Sequence, residues 1–286
     1  MVTPDIRDVK QLRFGQMTHI MLCGCGKMGQ AMLHGWLKHA TSIGIDNITI
    51  IDPNLDQIKG LPDHSLITYL DHHTGAPQDK VDVIVLACKP QDMAVAIADM
   101  NLLATPSTIW LSIAAGISLD WMASHIHQGQ QIIRAMPNTP AALGMGITAL
   151  TGHPALTPDS RQLGLAMLSA VGEVIEVEEH LMNAVTAVSG SGPAYIFHLQ
   201  EAMEAKAIAM GIDADAARLM TMATIRGAAE LMWQSDEPPA KLRQNVSSPG
   251  GTTLAALDHL MQDDALIHLM GKAIAAACKR SEELGK

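Results

Sequence analysis

Nine residues, Asn245-Val-Ser-Ser-Pro-Gly-Gly-Thr-Thr253, combine side-chain hydroxyls, two glycines and a proline directly ahead of the apolar run Leu254–Leu257. A loop of small residues that feeds a helix presents backbone N–H groups lacking intrahelical partners, and the helix dipole adds partial positive charge there. Such an end binds a small anion. Far upstream, Gly24-Cys25-Gly26-Lys27-Met28-Gly29 fits the pattern G-x-G-x-x-G, after a β-type run and at the start of a helical one. That context makes it a dinucleotide fingerprint: Gly24 permits the tight turn, Gly26 lets the backbone approach a pyrophosphate, and Gly29 lets the helix pack closely. One loop suits an anionic substrate and the other a cofactor.

Further residues fall where a cofactor crevice requires them. Asp52 ends the second β-type run, 23 residues beyond Gly29. An acidic group there accepts from the adenine ribose hydroxyls and repels a 2′-phosphate, so it favours NADH, with NADPH tolerated. Ala87-Cys88-Lys89-Pro90 and Ser112-Ile113-Ala114 end two later runs, at the carboxyl edge where doubly wound sheets place ligands. The turn Met136-Pro137-Asn138-Thr139-Pro140 directs the Asn138 amide at the same crevice, or serves as a plain turn, which its Asn and Pro also favour. Cys25 lies inside the phosphate loop, where modest sensitivity to oxidation is expected. His72-His73 suggests a metal, but no Cys, Asp or Glu cluster in the sequence completes a site, and none is expected.

These groups need a scaffold, and the pattern supplies one. His19–Cys23, Ile48–Ile51, Leu66–Leu70, Val83–Ala87 and Thr108–Ile113 read as buried strands; Gln30–Ala40 and Met93–Leu103 have helical apolar spacing. The alternation predicts a parallel sheet covered by helices on both faces. Gln131–Ala135, Ile147–Leu150 and Val174–Val177 extend it. Beyond Glu178 the pattern turns helical over Glu179–Val188, Ala194–Met210, Asp213–Trp233, Leu254–Met261 and Asp264–Leu284, with Asp213 and Asp263 as caps. The fold class is therefore an α/β Rossmann-type N-terminal domain followed by an all-α C-terminal dimerisation domain. Residues 1–16 form an N-terminal extension with no catalytic group. Residues 17–178 form the dinucleotide-binding domain, and 179–286 the helical substrate-binding and dimerisation domain.

Composition narrows the partners. With 48% apolar and 17% charged residues, the 286-residue chain can bury a substantial core. A net charge of −10 argues against nucleic acid or an anionic membrane as partner, while an anionic metabolite can still bind through local backbone dipoles. Four cysteines form neither a disulfide framework nor a zinc pattern, and no apolar run reaches membrane-spanning length, so a cytoplasmic location is expected. Nineteen methionines against two Phe and two Tyr, placed largely among Ala-rich helical segments, suit close packing between helices or subunits.

Taken together, Gly24–Gly29, Ala87–Pro90, Met136–Pro140, Val188-Ser-Gly-Ser-Gly-Pro-Ala-Tyr195 and Asn245–Thr253 resemble pyrroline-5-carboxylate reductase, in order from about His19 to the C-terminus. The resemblance implies reduction of 1-pyrroline-5-carboxylate to L-proline, the last step of proline biosynthesis, with NADPH or NADH. It implies a homodimer or higher homo-oligomer with interlocked helical domains, each active site shared between subunits. Cofactor contacts are then expected at Gly24, Cys25, Gly26, Lys27, Met28, Gly29, Asp52, Ala87, Cys88, Lys89, Pro90, Ser112, Ile113, Ala114 and Asn245. Substrate contacts are expected at Glu179, Ser248, Gly251, Thr252 and Thr253, beside Asn138 from the turn. The position of Asp52 is often neutral in the family, which bears on cofactor preference and not on the reaction. Thr253 is the expected catalytic residue, its hydroxyl donating to the ring nitrogen. An alcohol is a poor acid, so a water or prior protonation of the imine supplies the proton. Two rivals share parts of the pattern. A β-hydroxyacid dehydrogenase or other imine reductase needs a catalytic Lys or acid on the helix after the junction, where Lys206 and Glu204 stand beside no Gly-rich motif. A non-catalytic dinucleotide-sensing protein would not need both loops intact.

Overall fold

The computed structural model describes residues 18–76, 80–127, 129 and 131–285; the expected extension over 1–16 lies outside them. The chain divides into two units. One runs to Gly190 and takes back the residues from Ala277 onward; the other is Ser191–Ala276. The sequence suggested a single boundary after residue 178, and the return of the C-terminus has no local sequence signal. It is visible in contacts: Ser281 Oγ donates to Asn183 Oδ1 at 2.8 Å. Gly116 has φ +81°, and a Cβ there would press on the Leu284 and Gly285 backbone at 3.1–3.2 Å.

The first unit is built on eight strands: β1 (Thr18–Cys23), β2 (Ile45–Ile51), β3 (Ile67–Leu70), β4 (Val83–Leu86), β5 (Ile109–Ser112), β6 (Gln131–Met136), β7 (Gly146–Gly152) and β8 (Gly172–Glu176). They form one sheet in the order β3-β2-β1-β4-β5-β6-β7-β8. The helices α1 (Lys27–Ile43), α2 (Met93–Met100), α3 (Leu119–His125), α4 (Pro158–Ser169) and the short α5 (Met182–Val185) complete it. Successive strand residues face opposite sides, and the core divides accordingly. Leu22, Ile50 and Val85 pack with Met32, Trp36 and Met167 on one face. Met21, Ile84 and Trp110 pack with Met93, Ile97 and Met122 on the other. Trp36 Nε1 donates to Met167 O at 3.0 Å and ties α1 to α4.

One strand departs from the parallel expectation: β7 runs antiparallel to β6 and then pairs parallel with β8. The cause is chain length. Residues 137–145 are too few for a crossover, which takes a dozen or more residues. Functionally, the important feature lies elsewhere in the order. From β1 the chain goes to β2 and β3 on one side and to β4 on the other, so the carboxyl ends of β1, β2 and β4 open a crevice at the switch point.

The second unit holds α6 (Gly192–Ala209), α7 (Ala214–Gln234), α8 (Pro239–Asn245), α9 (Thr252–Met261) and the start of α10 (Ala265–Leu284). Asp213 caps α7 as expected, its Oδ1 accepting from the Asp215 and Ala216 N–H groups. Asp263 does not cap α10; it sits at φ +51° in the turn after α9, a conformation that short polar side chains tolerate. Among the described residues no helix is long and apolar enough to cross a membrane.

Candidate active site

The glycine loop is shaped by backbone contacts that exclude side chains. Gly24 has φ +92°, and a Cβ there would lie 2.8 Å from the Cys88 amide nitrogen. A Cβ on Gly29 would lie 2.5 Å from Gly24 O, while one on Gly26 would meet nothing within 4 Å. Thus Gly24 and Gly29 are needed for the fold and Gly26 leaves an open approach. No side chain caps α1 at Gly26 and no acidic residue occupies its first turn, so its N–H groups and dipole remain directed at an incoming anion.

Asp52 Oδ2 accepts from Cys25 N at 2.7 Å, and its Oδ1 accepts from Asn54 N at 2.9 Å. The carboxylate therefore braces the glycine loop against the end of β2. Each oxygen keeps a further acceptor position, and Asp52 also lines the crevice. The crevice encloses about 470 Å³ among Gly24, Gly26, Asp52, Asn54, Ala87, Cys88 and Lys89, with Asp71, His72, His73, Asp92 and Asp99 completing its wall. Volume and position suit a dinucleotide at a switch point. Cys25 is fully buried, and burial together with the Asp52 charge pushes its thiol up to about 11. Its thiolate is scarce near neutral pH, which argues against the oxidation sensitivity expected from its place in the loop.

In the second unit, Ser248-Pro249-Gly250-Gly251 closes on itself: Gly251 N donates to Ser248 O at 3.0 Å, and Gly250 takes φ +71°. Proline followed by a left-handed glycine is the signature of a type II turn. A Cβ on Gly251 would lie 2.6 Å from Ser248 Oγ, so only glycine keeps that hydroxyl in place. Helix α9 starts at Thr252 with no side-chain cap. The hydroxyls of Ser248 and Thr252 are thus not capping groups, and Ser248, Thr252 and Thr253 are exposed beside a free helix N-terminus. Asn245, at the end of α8, donates through Nδ2 to Glu237 Oε2 at 2.8 Å.

Comparison with known proteins follows the same two-part layout. The family model for pyrroline-5-carboxylate reductase dimerisation matches residues 179–284, and one described as NADP oxidoreductase, coenzyme F420-dependent, matches 19–116. The pyrroline-5-carboxylate reductase of Pasteurella multocida is 37% identical over 276 residues, 95% of this chain and 99% of that relative. The chain belongs to the pyrroline-5-carboxylate reductase family. The Synechocystis member is 40% identical over 214 residues, 72% of this chain and 76% of its own. The solved Coxiella burnetii reductase superposes with a TM-score of 0.83 at 30% identity, covering 95% of this chain and all of that one.

Three residues read from the sequence as ligand contacts also make hydrogen bonds within the fold. Asn138 was expected to face the crevice, but Oδ1 accepts from Ile147 N at 2.9 Å and Nδ2 donates to Ser189 O at 3.2 Å. The amide joins the β6–β7 turn to the segment after α5. Glu179 was expected at the substrate. Its Oε1 accepts from Leu119 N at 2.7 Å and from Arg134 Nη1 at 3.1 Å, fixing the start of α3 to β6. Ser112, expected at the cofactor, is fully buried with Oγ accepting from Ala114 N at 3.3 Å, and Ile113 and Ala114 are also buried. Lys27, Met28 and Gly29 form the first turn of α1, and Pro90 starts the turn after Lys89. Sequence reasoning passed over Asp71, Asp99 and Glu237. Asp99 also comes beside the histidine pair, with ligand atoms of His72, His73 and Asp99 within 4.8 Å of one another. No local sequence pattern signals that grouping, because a helix brings Asp99 back to the strand edge.

Proposed function

We propose that the protein reduces 1-pyrroline-5-carboxylate to L-proline with NADPH or NADH, as a cytoplasmic homodimer. The observation that carries this reading is the uncapped N-terminus of α9 behind a tight turn that sets out the Ser248, Thr252 and Thr253 hydroxyls. The ligand it fits is small and carries one carboxylate, which the relatives named pyrroline-5-carboxylate reductase act on. The Thr252 and Thr253 N–H groups and the Ser248 hydroxyl hold the carboxylate. The Thr253 hydroxyl hydrogen-bonds the ring nitrogen, donating to the neutral imine or accepting from the N–H of the protonated one, and fixes the imine carbon for attack. The dinucleotide, when bound, supplies the hydride. The Gly26–Lys27 end of α1 would hold its pyrophosphate, with Asp52 bracing the loop and Lys89 in the crevice lining. A proton from water, or one already on the imine, completes the amine. Orientation beside the hydride donor is the larger catalytic contribution.

The test is reduced-cofactor oxidation followed with the imine and, separately, with a β-hydroxyacid in the reverse direction. Turnover of the imine alone, yielding proline, is expected. Turnover of the hydroxyacid alone would transfer the chain to the rival dehydrogenase chemistry, and no turnover with tight cofactor binding would favour a sensing role.

A further inference from the structure

The wall of the crevice gathers three side chains that the proposed reaction does not use. His72 and His73 stand just past the end of β3, and Asp99 one residue before the end of α2. Spacing along the chain offers no third ligand for the histidine pair; the fold supplies it in Asp99. One ligating atom from each residue lies within 4.8 Å of the other two. His73 Nδ1 stands 3.4 Å from Asp99 Oδ2, yet that nitrogen is buried and makes no hydrogen bond. A buried polar atom left without a bond is uncommon and costs stability, and a cation shared with the carboxylate would satisfy it.

We propose that His72, His73 and Asp99 form a binding site for a divalent transition-metal ion of the zinc class. Two imidazole nitrogens and one carboxylate oxygen are a donor set that suits zinc and its neighbours far better than magnesium. The spacing agrees. Two ligands on a tetrahedral ion with bonds of about 2.0–2.1 Å stand about 3.3 Å apart, and His73 and Asp99 already stand at that separation. His72 is exposed, so its ring can close the remaining distance without disturbing the core. Its Nδ1 lies 3.2 Å from Thr74 Oγ1 and can donate there, the outer contact that leaves Nε2 as the ligating nitrogen. Three protein ligands keep a fourth position for water. The surroundings favour a cation as well. Asp52, Asp71 and Asp92 line the same crevice against the single fixed positive charge of Lys89 among the described lining residues, and a wall of like charge concentrates counter-ions.

Calorimetry of the full-length protein with Zn2+ alone, in chelator-free buffer at pH 7.5 and without dinucleotide, tests the site apart from turnover. One Zn2+ per chain is expected to bind, with Mg2+ at least a hundredfold weaker. Cys88 and Cys278 are only half-buried and are the competing ligands, so the Co2+ form is examined by absorption. It is expected to lack the sulfur-to-cobalt charge-transfer band that a cysteine ligand produces. Asp99→Asn, which keeps the shape of the side chain, and His72→Ala, at an exposed position, are each expected to weaken Zn2+ binding at least tenfold. Melting temperatures without metal report that both variants fold, and either one suffices for the comparison. Zn2+ affinity unchanged in the variants would overturn the proposal, as would equal affinity for Mg2+ or a sulfur-to-cobalt band at the first equivalent. Absence of Zn2+ binding would also overturn it and leave His73 and Asp99 as an ion pair alone.

Discussion

Thr253 and the buried thiols are opposites in burial, one exposed in the first turn of a helix and the others enclosed or half-buried in the core. Thr253 sits in the first turn of α9 with its side chain exposed, so its removal leaves the packing intact. Thr253→Ala is expected to lower kcat/KM for the imine at least tenfold with the melting temperature unchanged; unchanged kinetics would remove Thr253 from the mechanism. The thiols behave oppositely. Burial raises Cys25 and Cys88 from about 9 to about 11, with Asp52 adding to the effect on Cys25. Cys23, fully enclosed, is raised further by burial and by Cys88. A group whose folded pKa is raised holds its proton longer in the folded state, so its contribution to stability is whole below the unfolded value and is lost as pH rises toward the folded one. Urea midpoints are therefore expected to hold up to about pH 9 and to fall toward pH 11. In Cys25→Ala, Cys88→Ala the fall should be shallower; an equal fall would assign the alkaline loss to other groups. How these side chains are used was legible only in part. Hydroxyls, glycines and Pro249 declared the anion loop because the argument was local. Asp52, Asn138 and Glu179 each have a partner far along the chain, 27, 51 and 60 residues away, which no local pattern specifies.

Elements were legible where periodicity was strong. All eight strands lie where apolar runs put them, but the direction of β7 followed from a connection length that the expectation of a wholly parallel sheet ignored. The missed helices had capping signals in place of apolar stripes. Thr157 accepts from Ser160 N at 3.3 Å with Pro158 in the first turn of α4, and Pro239 opens α8; proline at a helix start costs no hydrogen bond. The link between α3 and β6 shows what such elements ask of a residue outside them. Arg134 is buried, with its side chain 7% exposed, and Glu179 is its ion-pair partner while also accepting from the first N–H of α3. Glu179→Ala strands a buried guanidinium and a helix donor together. It is expected to cost about 2 kcal/mol in urea unfolding, since Glu179 is itself partly exposed. Glu179→Gln keeps an acceptor for both and should lose less than half as much. If Glu179 instead held the substrate, both variants would raise KM with stability unmoved, and that outcome would return it to the site.

At the scale of the whole molecule, the two units differ in how they are stabilised. The first carries two buried clusters, one on each face of its sheet. In the second, α6 has no buried residue and α7 has two, Ala217 and Thr221. Phe197, Met210, Leu219 and Trp233 are 63%, 72%, 70% and 72% exposed. Apolar surface of that extent on a monomer marks an interface, and a second copy presents the same surface by symmetry. The span matched by the dimerisation model, residues 179–284, contains all four. Dimer formation then contributes to folding itself, and stability depends on concentration. Light scattering is expected to give a dimer or larger closed assembly at micromolar concentration, with a melting temperature that rises with protein concentration. Placing charge on this surface, as in Leu219→Glu with Trp233→Glu, is expected to produce a monomer with a lower melting temperature. A wild-type monomer at micromolar concentration, melting independently of concentration, would mean that these faces are covered without a partner, and the homodimer would fall.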